Sequence, residues 1–265
     1  IPAKTIAKVI GVDVERTDEF VSWIRGLLEE GNTDLEKRNK YNGILRQFFG
    51  ELVDARKAAP RDDLISHLLA QEVNGQPVAR NAVIGMCNLL LVAGIDTTWS
   101  SLGSALLHFA THPEHRRRMA TEPDLFPSAI EEMLRYNTAF IAMRRTATQD
   151  IEWNGYSFKR GEKIVMHYHA VNHDEDVFGD DAMRFDIHRK KRMPSLNREL
   201  RSFGIGEHFC LGMNLARLEM RIMFEEVIPR LRDMTFNGEV TYMRSFMIST
   251  IKSMPVVFTP EASEG

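Results

Sequence analysis

Cysteine is almost missing from this chain: only Cys87 and Cys210 occur in its 265 residues. Two thiols cannot build a disulfide framework, and neither stands in a C-x-x-C pair of the kind that holds zinc. Such sparing use suits a reducing compartment. Charge of one sign is not in excess either. The formal net charge is −3, which leaves no footprint for nucleic acid or for an anionic membrane surface. No signal peptide is visible, and the longest apolar run, Ala82 to Ile95, falls short of a bilayer span. Repeats and low-complexity tracts are lacking. The expectation is a soluble, cytoplasmic protein with no membrane anchor and no nucleic-acid partner. A first methionine is lacking too: "IPAKTIAKVIGVD" reads as the tail of a helix with no start signal, as if the sequence began within a longer protein.

What is present is ordinary in bulk. Hydrophobic residues make up 43% and charged residues 27%, enough to bury a sizeable core. The first half reads as successive helices. Thr17 caps a segment running to about Glu30, and Asp34 caps another running to about Lys57. "PRDDLISHLLAQ" gives a short helix, closed around Gly75 and Pro77. The longest element, about Ala79 to His112, would measure roughly 50 Å at ~1.5 Å per residue. Its centre, "AVIGMCNLLLVAGI", is apolar nearly all round, which predicts a path through the core. "HPEHRRRMATEP" breaks the helical pattern and "DLFPSAIEEMLRY" resumes it.

After Arg135 the texture changes. Alternating residues punctuated by Asn154-Gly155 and Arg160-Gly161 predict a small antiparallel sheet with tight turns. "HDEDVFGDDAMRFDIHRKKRMPSLNREL" has little periodicity and reads as irregular. "LGMNLARLEMRIMFEEVIPRL" is strongly helical, and "STIKSMPVVFTPE" offers one or two short strands. The expected fold class is mainly α with small antiparallel β-sheets, in one domain. Its expected parts are helices over 1–136, a small sheet and meander over 137–202, a loop and following helix over 203–232, and strands over 233–260.

The stretch "SFGIGEHFCLG", residues 202 to 212, presents a single cysteine among glycines. Glycines permit positive-φ turns and let something flat approach the backbone. A helix starts just after Cys210, and the dipole and free N–H groups of a helix N-terminus lower a thiol pKa and favour thiolate. Thiolate suits a soft or borderline metal, and one protein thiolate is a haem-type arrangement. The residues alone leave Cys210 as a ligand, a nucleophile or a buried small hydrophobe.

The spacing Phe203, Gly206, His208, Cys210, Gly212 resembles the haem-binding loop of the cytochromes P450, F-x-x-G-x-H/R-x-C-x-G. The resemblance implies haem b with Cys210 as axial thiolate, Phe203 and Gly204 packed beside it, and His208 on a haem propionate. It extends through the chain, closest in flavour to the soluble bacterial members, and implies the C-terminal two-thirds of that fold with a long central helix over haem. The N-terminal third, with the loop capping the substrate pocket, is absent from it. Within the long helix, "AGIDTT" places a glycine at a cost of about 1 kcal/mol and an ionisable Asp96. Thr97 can bond back to the Ala93 carbonyl, bending the helix and opening a groove. One reading is a helix that merely surfaces there. The other, implied by the resemblance, is the distal acid–alcohol pair Asp96–Thr97 relaying protons to bound dioxygen.

Glu132, Arg135 and Arg184 resemble the family's buried glutamate–arginine–arginine triad. Arg145 is implied as a second propionate partner, with Arg144 pointing the other way if the segment is extended. Thr138, Phe140, Ile141 and Met143, with Leu90, Ala93 and Gly94, are expected to line an apolar substrate pocket, Ala93 also being implied as a haem contact. Electrons from NAD(P)H would arrive through a ferredoxin reductase and a ferredoxin, and the substrate would be small and lipophilic. A peroxide-driven oxidase is the lesser alternative because Asp96-Thr97 is intact; a non-catalytic haem-binding or helical remnant is the other. Cys87 reads as core, and His167 and His169 as structural or surface residues for want of a third ligand. Arg116 to Arg118 with Lys190 to Arg192 read as a solvated face, or as a dock for an acidic ferredoxin. Asn172-His173 departs from the family's usual asparagine–arginine.

Overall fold

The computed structural model describes residues 1–231, 233–245 and 247–259, so the expected limits at 232 and 260 lie outside the described residues. The chain groups into two compact units, Ile1–Trp99 and Ser100–Gly265, where the sequence reading has one domain.

The first unit is helical. α1 (Pro2–Ile10) ends at Gly11 in a left-handed conformation. A 3-10 turn capped by the Asp13 carboxylate leads into α2 (Thr17–Arg25), which runs on as a π-helical turn to Glu30. The cap lies at Asp13, ahead of the expected Thr17. Asp34 caps α3 (Leu35–Ala58) as expected, its carboxylate accepting from the amides of Glu36 and Lys37 at 3.0 and 3.1 Å. α4 (Leu64–Leu69) is capped by Asp63 and followed by the hairpin of β1 (Glu72–Val73) and β2 (Gln76–Pro77). α5 (Arg80–Thr111) is the long helix, and the unit boundary falls inside it. By length and composition it could cross a bilayer. One face, with Val83, Ile84, Cys87, Leu91 and Ile95, is buried against protein, whereas Met86 and Leu89 are exposed, so the path through the core expected from its apolar composition holds for that face alone.

The second unit carries the rest. α6 (Pro113–Thr121) forms where the sequence pattern looked broken, because Pro113 pre-sets the first turn. Its Arg116, expected on a solvated face, is buried and donates to the carbonyls of Phe109 and Met234, both at 2.9 Å. α7 (Phe126–Tyr136) packs with α12 (Met213–Val227) in a core that includes Phe109, Met133 and Phe224. Between them, β3 (Met143–Thr146) pairs antiparallel with β6 (Lys163–Met166), and β4 (Ile151–Trp153) with β5 (Tyr156–Phe158). Asn154 and Gly155 make the β4–β5 turn with φ of 51° and 81°. The meander holds only single turns: α8 (Tyr168–Val171), α9 (Glu175–Phe178), α10 (Arg189–Arg192) and α11 (Leu196–Glu199). β7 (Thr235–Phe236) pairs with β10 (Val256–Val257), and β8 (Thr241–Tyr242) with β9 (Ile251–Ser253).

An ion triad organises the meander. Glu132 takes both Nε–H and Nη2–H of Arg135 at 2.8 Å and the Arg189 guanidinium at 3.1 Å, with all three side chains fully buried. The third member is therefore Arg189, and Arg184 is exposed and contributes only its carbonyl. Sequence pattern could not choose between them, because the segment has no period to say which arginine points inward. Arg135 also donates to the carbonyls of Asn172 and Ala182 at 2.7 Å, and Arg189 to those of Phe178 and Asp181 at 3.1 and 2.9 Å. Asn172, itself fully buried, passes the constraint on. Its Oδ1 accepts from the Arg201 amide at 2.6 Å, and its Nδ2 donates to Thr138 and to Ser202. Next to it His173, the departure from asparagine–arginine, stacks on His169 at 4.3 Å and donates to its carbonyl at 2.8 Å.

Replacing Glu132 would strand two buried guanidinium groups. Glu132→Gln is expected to lower unfolding free energy by about 3–5 kcal/mol, while Arg184→Ala should stay within about 0.5 kcal/mol, both read by denaturant titration. A second expectation concerns His108 at the end of α5, buried against Phe185 and hydrogen-bonded to His115 at 2.9 Å. Burial, aided by the charges of His112 and His115, pushes its pKa down to about 3 from an ordinary 6.5. As pH falls the unfolded chain takes up the proton first. The stability that depends on neutral His108 is whole above about pH 6.5 and is lost progressively toward pH 3. His108→Phe should flatten that part of the stability–pH curve.

Candidate haem-thiolate site

The residues around Cys210 form a closed loop before α12. Gly204 and Gly206 take φ of 71° and 69°, a left-handed backbone that a side chain would strain. The Cys210 amide donates to the Phe203 carbonyl at 2.9 Å, and the Phe209 amide to that of Gly206 at 3.0 Å. Gly212 caps the following helix, and a Cβ there would lie 4.0 Å from Sγ of Cys210. The loop thus holds one sulfur over a helix start. Its entry is fixed by Ser202 and Arg201, which Asn172 holds.

The thiol is half-buried, and burial pushes its pKa above the ordinary 9.0. The Gly212 N–H and the positive charge of Arg217 pull the other way and do not win. The lowered pKa expected from the helix dipole is therefore outweighed by desolvation. Cys87 lies wholly in the core, where burial drives its thiol up to about 11.

Around this sulfur the surface is unusually apolar. Leu211 is 90% exposed, Ile205 67% and Phe209 46%. The His208 side chain is exposed. A flat apolar group with a metal at its centre and carboxylates at its edge answers each feature: thiol for metal, apolar side chains for the ring, a cation for a carboxylate. Arg145 on β3 is also exposed, its guanidinium donating to the Arg144 carbonyl at 3.1 Å without an acidic partner among the described residues. The donor set fits haem.

The remaining sequence-derived residues fall as follows. Thr97 donates to the Ala93 carbonyl at 2.7 Å, the back-bond expected from its spacing. On α5, Met86, Leu89 and Ala93 form an exposed stripe at helical spacing, with Leu90 half-buried beside it. Gly94 packs against α1, since a Cβ there would lie 2.4 Å from Cγ1 of Ile6. Thr138, expected in the substrate pocket, is instead buried, its hydroxyl bound to the Leu134 carbonyl, Ser202 and Asn172. The reason is position: it closes the end of α7, where carbonyls lack partners. Phe140 and Ile141 pair with the segment around Ile248, and both are half-buried, as is Met143. His167 caps α8 through Nδ1, which accepts from Ala170.

Two side chains escaped the sequence reading. Glu131 of α7, nearly buried, holds Arg217 of α12 through bonds of 2.6 and 2.9 Å, and the Arg217 guanidinium lies 4.6 Å from the Phe203 ring centroid. They border a cavity of about 500 Å³ together with Phe209 and Met213. The pair is separated by 86 residues, so no local spacing could signal it.

Residues 3–239 match the family model for cytochrome P450. The chain is 31% identical over 265 residues to linalool 8-monooxygenase of Pseudomonas putida, covering 98% of this chain and 64% of that protein. It is 33% identical to a steroid C26-monooxygenase of Mycolicibacterium smegmatis, covering 99% of this chain and 65% of that one. Among solved structures, the Bacillus subtilis polyketide synthase cytochrome P450 PksS superposes with a TM-score of 0.88 at 30% identity, over 97% of this chain and 66% of that one. Loop, fold and relatives define a haem-thiolate protein. The chain belongs to the cytochrome P450 family, and it spans about two-thirds of the length of these relatives.

In the haem-free chain, alkylation of Cys210 by iodoacetamide in a Cys87→Ser background should reach half its maximal rate only above pH 9.0. A half-maximum below that pH would show that helix dipole and Arg217 outweigh burial.

Proposed function

We propose that the chain is the haem-carrying part of a monooxygenase that takes two electrons from NAD(P)H, through a ferredoxin reductase and a ferredoxin, and hydroxylates or O-dealkylates a small lipophilic substrate. The observation that carries this reading is the half-buried Cys210 thiol set among exposed apolar side chains in a P450-type loop. Cys210 would hold the iron, His208 and Arg145 the propionates, and Phe203 and Gly204 would pack beside the thiolate. Haem so bound would supply oxygen activation, with thiolate donating electron density to the O–O bond.

The chain's own part in that reaction is proton delivery. Reductive cleavage of dioxygen consumes protons, and a hydroxyl backed by a carboxylate can relay them. Thr97 and Asp96 of α5 would act in that way. Apolar side chains at Leu90, Ala93, Phe140, Ile141 and Met143 favour an apolar substrate, and the relatives include a linalool 8-monooxygenase and a vitamin D(3) 25-hydroxylase, enzymes named for such molecules. Cytoplasmic placement accords with the bacterial relatives. The basic residues offered as a ferredoxin dock are partly spent: Arg192 pairs with Asp181 and Asp186, and Arg118 with Glu122.

The ferrous protein is expected to give a strongly red-shifted Soret band with carbon monoxide, abolished by Cys210→Ala. A band typical of a neutral ligand, or no haem uptake, would overturn the reading and leave a helical module. Thr97→Ala should lower product formed per NAD(P)H consumed by on the order of a hundredfold, with hydrogen peroxide in its place.

A further inference from the structure

Among the described residues of the second unit, Glu131 and Arg217 form a part-buried ion pair that neither the triad nor the proposed chemistry uses. Its three layers are the Glu131 carboxylate, 4% exposed as a residue, the Arg217 guanidinium bound through two bonds of 2.6 and 2.9 Å, and the Phe203 ring 4.6 Å from that guanidinium. Phe203 in turn accepts the Cys210 amide at 2.9 Å through its carbonyl. The Arg217 charge reaches the Cys210 thiol, whose pKa it pulls down, and Glu131 holds that charge in place. Glu131 is fixed because α7 packs on α12, Arg217 because the carboxylate and the ring grip it from two sides. The Glu131 side chain is 6% exposed and that of Arg217 21%, so the pair is partly shielded from water and acts on its neighbours through an effective dielectric below that of bulk water.

We propose that Arg217 and Glu131 are positioning residues that set the one-electron reduction potential of the haem, Arg217 raising it by favouring the more negative reduced state and Glu131 counterbalancing that charge. The inference rests on Cys210 being the haem ligand. The reaction read is reduction of ferric to ferrous haem by one electron from dithionite, with no bond made or broken.

The arrangement makes a prediction in which sign, not size, decides. In spectroelectrochemical or dithionite titrations of the haem-loaded protein, Arg217→Gln should shift the midpoint negative, since Glu131 is left unopposed. Glu131→Gln should shift it positive, since Arg217 is left unopposed. Each shift should be on the order of a tenfold change in the ferrous-to-ferric ratio at fixed potential, about 59 mV. The double variant, with neither charge, should return close to the wild-type value, and Arg217→Lys should recover part of the loss. A merely structural role would move both single variants the same way and the double variant furthest. That outcome, or midpoints that do not move while each variant keeps the thiolate-type carbon monoxide band, overturns the proposal. Loss of that band in the wild type would instead overturn the assignment of Cys210, so the two failures are distinguishable.

Discussion

One carboxylate between two guanidinium groups supports most of what surrounds the cysteine loop. Glu132, Arg135 and Arg189 are all fully buried, and taking three charges out of water is costly unless every donor is used. Here the donors do something that regular structure does not. The chain from Asn172 to Arg184 forms no strand, and five of its carbonyls, at residues 172, 178, 181, 182 and 184, find their partners in the two arginines. The triad replaces a hydrogen-bond ladder, so an irregular segment can be rigid. A hydrophobic substitute could fill the volume but could not serve those carbonyls.

That rigidity is delivered to the loop through one amide. Asn172 accepts from Arg135 through its own carbonyl and uses its side chain on Thr138, Arg201 and Ser202. Arg201 and Ser202 lead directly into Phe203. The position of the loop's first residue is therefore fixed from the triad by two successive sets of hydrogen bonds, with no mobile side chain between. Thr138 belongs to this chain of contacts, which is why its hydroxyl is directed into the protein.

What could be read from the sequence follows the range of the forces involved. Local chemistry was legible: the Asp34 cap, the Asn154-Gly155 turn and the Thr97 back-bond each depend on residues within four positions, and the glycine-bracketed loop closes over seven, from Phe203 to Cys210. Glu132 and Arg135, spaced three apart, were legible for the same reason. Arg189 was not, because it reaches Glu132 across 57 residues of irregular chain, and Arg184 carried a more familiar neighbourhood. α6 was missed because its pattern is charged on nearly every face, with its buried guanidinium satisfied by distant carbonyls. The direction of the Cys210 shift was missed because dipole and glycine can be read locally, whereas burial is a sum over the whole unit.

α7 draws these threads together. Glu131 and Glu132 are consecutive, so their side chains leave the helix about 100° apart. Glu132 turns to the meander and, through Arg135 and Asn172, holds the residues that enter the loop. Glu131 turns to α12 and, through Arg217, grips the helix that leaves it. One helix of 11 residues thereby clamps both ends of an eight-residue span from Phe203 to Cys210. The loop itself has few internal bonds and several exposed apolar side chains, so by itself it would have little to hold its shape. Its order is borrowed from two adjacent carboxylates whose partners lie 57 and 86 residues away.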